Sequence, residues 1–271
     1  MYKNKIVLIT GASSGLGRNL ALNYAREKAK IINLSRNKEK METLNNELNY
    51  INKLDNKFFS VDVSKYEDVN NIKNVLAKEN QLPNVIINNA AGNFLCPFEE
   101  LTPNGWKRII DIVLHGGFNI YHSFGKEFIK RNHKATFLNI STTYSENSSA
   151  LVIPSSCAKA GVDNIMKGLT VEWSKHNLRF VGIAPGPIKD SGGASKLDPF
   201  GIFKNYNNYV NPSGRMCNPN EISSLAKYLT SDSADYINGE IIKIDGGEWI
   251  KNQGEFSFLT NIPYYEKLFK K

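Results

Sequence analysis

The chain has 271 residues, 41% of them hydrophobic and 22% charged, and a formal net charge of +8. That length and balance suit one folded domain with a full core, and no apolar run approaches the ~20 residues that a membrane span needs. Cys96, Cys157 and Cys217 stand far apart without Cys-x-x-Cys spacing, and the four histidines show no ligand spacing, which argues against a disulfide framework and a metal site.

Met1 to Lys5 is too short for a secretory or mitochondrial presequence. The first strand is predicted at Lys5–Thr10, around Ile6-Val7-Leu8-Ile9, and runs into Thr10-Gly11-Ala12-Ser13-Ser14-Gly15-Leu16-Gly17. An amphipathic helical pattern follows, to about Lys28. Strand, glycine turn and helix in that order suit a dinucleotide pyrophosphate. Glycine lets the backbone turn tightly and approach the phosphates, and the helix N-terminus presents free N–H groups to the anion. Gly11, Ser13, Ser14, Gly15, Leu16 and Gly17 are the candidate contacts.

The second strand, Lys30–Ser35, leads into Arg36. Many NAD-binding folds place an acid after this strand to hold the ribose 2′-hydroxyl. Here Asn33-Leu34-Ser35-Arg36 carries none, and Arg36 can bind a 2′-phosphate bidentately. NADPH is therefore the expected cofactor. Arg18 on the first helix either assists or faces solvent. A third strand, Phe58–Val63, brings Asp62 and Val63 to its end, where the carboxylate either meets an adenine amino group or serves a turn or helix cap.

Further strands are predicted at Val85–Asn89, Thr136–Ser141, Phe180–Ala184 and Ile241–Asp245, with helical patterns between them. Runs that are apolar on both faces and separated by helices indicate a covered parallel sheet. The expected fold is α/β: one Rossmann domain over residues 1–271, a doubly wound parallel sheet of about seven strands with helices on both faces. The segment from Lys189 to Met216, rich in Gly, Asn, Tyr and Pro, breaks this rhythm and is expected to be a substrate lid. The lysines are dispersed and no basic helix stands out, which argues against nucleic acid. The positive charge suits polyanionic small molecules instead.

The Gly-x-x-x-Gly-x-Gly spacing resembles the short-chain dehydrogenase/reductase superfamily, as do Asn89-Ala90-Ala91-Gly92 and Pro185-Gly186-Pro187-Ile188. The resemblance adds Asn89, Ala90, Ala91, Gly92, Pro185, Gly186, Ile188 and Lys159 to the cofactor contacts. That superfamily works with a tyrosine four residues before a lysine, a serine thirteen before the tyrosine, and an asparagine upstream. Lys159 is present, but Ser155 stands for the tyrosine, Thr142 for the serine and His115 for the asparagine. A serine hydroxyl is a far weaker acid than a phenol of pKa about 10, so ordinary ketone reduction is disfavoured. Two readings remain: a non-catalytic NADP-binding protein, or reduction of a carbon–carbon double bond conjugated to a carbonyl.

Within the superfamily the chain resembles the 2,4-dienoyl-CoA reductases of mitochondrial type. The likeness rests on Val85-Ile86-Ile87-Asn88-Asn89-Ala90-Ala91-Gly92-Asn93-Phe94, Asp111-Ile112-Val113-Leu114 and Ala184-Pro185-Gly186-Pro187-Ile188-Lys189. Asp245-Gly246-Gly247-Glu248 and Gly254-Glu255-Phe256 extend it. In those enzymes a serine before the lysine is normal, and a tyrosine eleven residues before that serine is catalytic; Tyr144 has that spacing. The resemblance implies catalytic roles for Tyr144, Lys159, Ser155 and Asn93, and an acyl-CoA substrate contacted by Asn93, Phe94, Tyr144 and Ser155. Hydride from NADPH would reach C5 of a 2,4-dienoyl-CoA while Tyr144 and Asn93 hold the thioester oxygen. Lys159 and Ser155 would position a water that protonates C2, giving a 3-enoyl-CoA in the oxidation of unsaturated fatty acids. A homotetramer and a mitochondrial location are implied as well, with the cytoplasm the alternative. Another acyl-CoA or enoyl reductase is the alternative within the superfamily. His115 departs from the asparagine of this family too, which bears on the water relay behind Lys159.

Overall fold

Seven parallel strands form one sheet in the order β3-β2-β1-β4-β5-β6-β7. They are β1 (Ile6–Thr10), β2 (Lys30–Ser35), β3 (Lys57–Ser60), β4 (Val85–Asn88), β5 (Ala135–Ile140), β6 (Leu178–Pro185) and β7 (Ile241–Ile244). The computed structural model describes residues 2–189, 211–254 and 257. Between the strands lie α1 (Gly15–Arg26), α2 (Lys38–Asn52), α3 (Tyr66–Lys78), α4 (Pro103–Ile110), α5 (Gly116–Arg131), α6 (Tyr144–Asn147) and α7 (Ile153–Trp173). After β6 come α8 (Pro219–Leu229) and, past β7, the short α9 (Glu248–Gln253). Among the described residues no helix is long and apolar enough to cross a membrane, and no group of three or more acidic, His or Cys side chains is placed to hold a metal.

Strand side chains alternate between two cores, as the two-residue period of a pleated strand requires. Val7, Ile9, Ile31, Val85, Ile87, Leu138, Val181 and Ile183 pack with α1, α2 and α8. Leu8, Ile32, Leu34, Ile86, Phe137 and Phe180 pack with α3, α5 and α7. On that second face Phe137 and Phe180 stack at 5.0 Å, and Tyr121 meets both edge-on; such ring pairs add about 0.5–1.5 kcal/mol each beyond burial. Local signals set the helix ends. Asn37 caps α2, Thr102 caps α4 ahead of Pro103, and Asn218 with Glu221 closes a capping box at α8.

The order of strands leaves the chain running outward in both directions from the β1–β4 pair. Ligands in such sheets bind beyond the carboxyl ends of the strands, where the order reverses. Two expectations need correction or restriction. The third strand stops at Ser60, so Asp62 and Val63 follow it in a loop rather than ending it. Of the segment expected to be a lid, residues 190–210 lie outside the described residues, as do Glu255 and Phe256. Its flanks are held: Ile188 bridges to Cys217, and Ser213 donates its hydroxyl to the Gly246 carbonyl at 3.0 Å.

Away from the site, Arg179 is the second residue of β6 and is almost fully buried. Its guanidinium donates to the carbonyls of Leu229, Ser231 and Ile237 at 2.6–3.1 Å, tying α8 and the segment before β7 to the sheet. Arg179→Ala strands three carbonyls and should cost about 2–4 kcal/mol. Thermal unfolding is expected to show a Tm lower by about 5–10 °C.

Candidate active site

The glycine loop is built around two left-handed residues, Gly11 at φ +69° and Gly15 at φ +53°. Ser14 precedes α1 in extended backbone, and its side chain makes no cap. The N–H groups of the first turn are thereby left for another acceptor. A Cβ at Gly17 would collide with the Gly11 carbonyl and the Asn89 side chain, so only glycine lets the helix pack here. The Leu16 side chain is buried in the core.

Thr10 and Asn89 join this loop to the end of β4. The Asn89 side chain donates to the Thr10 carbonyl at 2.9 Å. The backbone N–H groups of Asn89 and Ala90 both donate to the Thr10 hydroxyl, at 3.0 and 2.9 Å. Asn89 and Ala90 are thus held beside the glycine turn, with Ala91 and Gly92 following them in the chain. Thr10 itself escaped sequence reading, although its position as the last residue of β1 was visible.

At the other end of the crevice, Ser35 donates to the Ser13 hydroxyl at 2.9 Å. Arg36 is exposed and has no ion-pair partner among the described residues. Arg18, by contrast, is paired with Glu47 on α2. The cradle therefore carries an uncommitted cation and no acid on β2, which fits a phosphorylated ribose. Asp62 forms a turn, with one oxygen accepting from the Ser64 N–H at 3.1 Å and its hydroxyl at 2.7 Å. The Val63 side chain is buried, and its carbonyl accepts from Asn119 at 2.8 Å. Gly186 donates its N–H to the Ile244 carbonyl at 3.1 Å, placing the Pro185–Ile188 turn at the end of β7. Beside Gly186 stands Glu248, whose carboxyl is pushed above its usual range by burial and by Asp245, and whose Oε2 has no hydrogen-bond partner among the described residues.

Three side chains from distant parts of the sequence meet beyond β4 and β5. The Asn93 amide donates to the Tyr144 oxygen at 3.0 Å, and the Tyr144 and Ser155 oxygens lie 3.4 Å apart. The Phe94 N–H, donating to Asn93 Oδ1 at 2.9 Å, orients the amide. The Tyr144 oxygen accepts from Asn93, and either hydroxyl of the Tyr144–Ser155 pair can be the donor between them. Ser156 donates to the Tyr144 carbonyl at 2.9 Å and fastens the short α6 to α7. Ser155 lies in the first turn of α7, after Pro154; Val152 occupies the cap position, so Ser155 is not the helix cap. The Phe94 ring packs over Gly105 and the core of the α5 face.

Lys159 lies one turn beyond Ser155 and is buried, its ammonium donating to the Ile140 carbonyl at the end of β5. Burial pushes the ammonium down to about 8, and the negative charge of Asp163 opposes that shift. Thr142 is buried nearby, its carbonyl accepting from Ser145. His115 closes a five-residue π-helical stretch, Asp111–His115, of the kind that often marks functional sites. Its side chain is half-exposed and turns back to Asp111 at 3.0 Å rather than toward Lys159. Cys157 is exposed on α7.

A family model described as short chain dehydrogenase matches residues 5–199. A probable 2,4-dienoyl-CoA reductase of Bacillus subtilis, named (2E)-enoyl-CoA-producing, is 39% identical over 251 residues, covering 92% of this chain and 98% of that one. A probable 2,4-dienoyl-CoA reductase of Caenorhabditis elegans, named (3E)-enoyl-CoA-producing, is 34% identical over 256 residues, covering 93% and 83%. The crystal structure of a short chain dehydrogenase from Bacillus anthracis is 39% identical, with a TM-score of 0.83 over 90% of this chain and 96% of that one.

Proposed function

The chain belongs to the short chain dehydrogenase family and is an oxidoreductase, and from that premise we propose that it reduces 2,4-dienoyl-CoA with NADPH. The observation that carries the reading is the hydrogen-bonded Asn93–Tyr144–Ser155 chain beside a buried lysine. A ketone reductase needs its phenol four residues before the lysine, and this chain has a serine there. The phenol arrives instead from α6, already aligned by an amide, as two donors for one oxyanion.

When bound, NADPH supplies a hydride to C5 of the dienoyl thioester. Electrons then move through C3 and C4, and negative charge collects on the thioester oxygen. Tyr144 and Asn93 donate hydrogen bonds to that oxygen, and preorganised donors of this kind contribute about 3–4 kcal/mol each. Lys159 holds the nicotinamide ribose and, with Ser155, positions a water whose proton goes to C2. The product is a 3-enoyl-CoA, consistent with service in the oxidation of unsaturated fatty acids. Protonation at C4 instead would give the 2-enoyl product named for the Bacillus subtilis relative, and this second reading differs only in where the proton lands. Arg36 and the paired Ser13 and Ser35 hydroxyls receive the 2′-phosphate. The tetramer and the mitochondrial setting follow from the same resemblance.

The test is oxidation of NADPH, with NADH in parallel, on trans,trans-2,4-hexadienoyl-CoA. Rapid loss of reduced-nicotinamide absorbance is expected with NADPH. Tight NADPH binding without turnover on any acyl-CoA would leave a binding protein, and turnover on 2-enoyl-CoA alone would leave a different enoyl reductase. Tyr144→Phe should lower kcat by about 10²–10³-fold with NADPH affinity unchanged; a variant of normal turnover would remove Tyr144 from the mechanism. Arg36→Ala should weaken NADPH at least about tenfold while leaving NADH binding unchanged, since it removes a charge-assisted pair worth about 1.5–3 kcal/mol. Equal loss for both cofactors would contradict the role of Arg36.

A further inference from the structure

Two ionisable side chains of opposite sign are buried in α7 behind the crevice: Lys159 at 6% exposure and Asp163 at 5%. They stand one helical turn apart, on the same face. A buried charge is tolerated when it is paired and hydrogen-bonded. The lysine has a place in the reaction outlined above, whereas the carboxylate has none.

The contacts of Asp163 are specific. Its Oδ1 accepts from the Asn139 amide at 2.7 Å, and its Oδ2 accepts from the Ser141 hydroxyl. Asn139 in turn accepts from the Asn88 amide at 3.2 Å, so the network reaches from β5 to β4. Asn139 and Ser141 flank Ile140, whose carbonyl receives the Lys159 ammonium. The carboxylate therefore grips the end of β5 on both sides of the carbonyl against which the ammonium rests. An apolar residue at 163 would leave the Asn139 amide without its acceptor and the Ser141 hydroxyl with only the Ser145 oxygen, 3.3 Å away.

We propose that Asp163 is a positioning residue for Lys159, fixing the end of β5 beneath the ammonium and supplying the counter-charge that keeps the lysine a cation. This rests on the reading of Lys159 as the group that holds the nicotinamide ribose. Among the described residues, the other groups facing the pair do not supply that charge. Tyr121 on α5 is a buried phenol pushed upward by burial and by Asp163, so it stays neutral. Tyr144 on α6 is hydrogen-bonded to Asn93 and Ser155. From β4 and β5 come only Asn88, Asn139 and Ser141, and on the π-helical turn Asp111 is committed to Lys107 and His115.

The sign of the effect follows from the opposing influences on Lys159. Burial lowers its midpoint to about 8 and Asp163 holds it from falling further. Neutralising Asp163 removes the upward influence alone, so the lysine must lose its proton at lower pH, by about one unit or more.

Lysine side chains labelled with carbon-13 report this ionisation by NMR in the full-length, cofactor-free protein, with the Lys159 signal identified by its absence from Lys159→Arg. The expected midpoint is about 8 in the wild type, at least about one unit lower in Asp163→Asn, and restored in Asp163→Glu. An unchanged midpoint in Asp163→Asn would overturn the proposal. If Asp163→Asn does not fold, Asp163→Glu and Asp163→Gln give the same comparison one methylene longer, and equal midpoints there overturn it as well. No substrate or turnover enters the measurement, so failure of the dienoyl-CoA reading would appear in the turnover assay and not here.

Discussion

The clamp between Thr10 and Asn89 is the interaction on which the rest of the site depends. It joins the carboxyl ends of β1 and β4, the two strands from which the chain winds outward in opposite directions. A crevice opens there because the segments following the two strands go to opposite sides. One hydroxyl and one carboxamide satisfy the backbone groups that the diverging loops would otherwise strand. The glycine turn and the Asn89–Gly92 segment then form adjoining walls, and Asn93 is delivered next in sequence to the reacting end.

From that clamp the site divides into a half made mostly of backbone and a half made of side chains. The half proposed to hold phosphate consists of glycines, N–H groups of the first turn of α1 and the exposed Arg36. The reacting half needs acidity and charge inside a dry layer, and the chain supplies them from three elements. Asn93 comes from the loop after β4, Tyr144 from α6, and Ser155 with Lys159 from α7. Moving the phenol off α7 changes what the site can do. A tyrosine beside the lysine is suited to protonating an alkoxide. A tyrosine facing an amide is suited to holding an enolate oxygen while carbon takes the proton.

Much of this was legible because it is local. Each of the seven strands overlaps the apolar run predicted for it, and the glycine loop, Arg36 and the Asn93, Tyr144, Ser155 and Lys159 set are motif residues. The structure brings three of that set into one hydrogen-bonded chain. What escaped the sequence depends on contacts between elements. The Thr10 hydroxyl reads as an ordinary strand residue until Asn89 is beside it. Asp163 reads as a polar position on a helix, and only the pairing of β5 with α7 turns Asn139 and Ser141 toward it. The end of β3 was placed too late because Val61 and Val63 are apolar and buried without being in the ladder. His115 could be located by spacing, but not its turn toward Asp111.

The claim most exposed to contradiction is the fate of the hydride. The direct measurement is reduction of trans,trans-2,4-hexadienoyl-CoA with NADPH deuterated at the nicotinamide C4 position that donates, followed by NMR of the product. Deuterium is expected at C5 and a solvent-derived hydrogen at C2. Deuterium at C3, or a product carrying none, would contradict it.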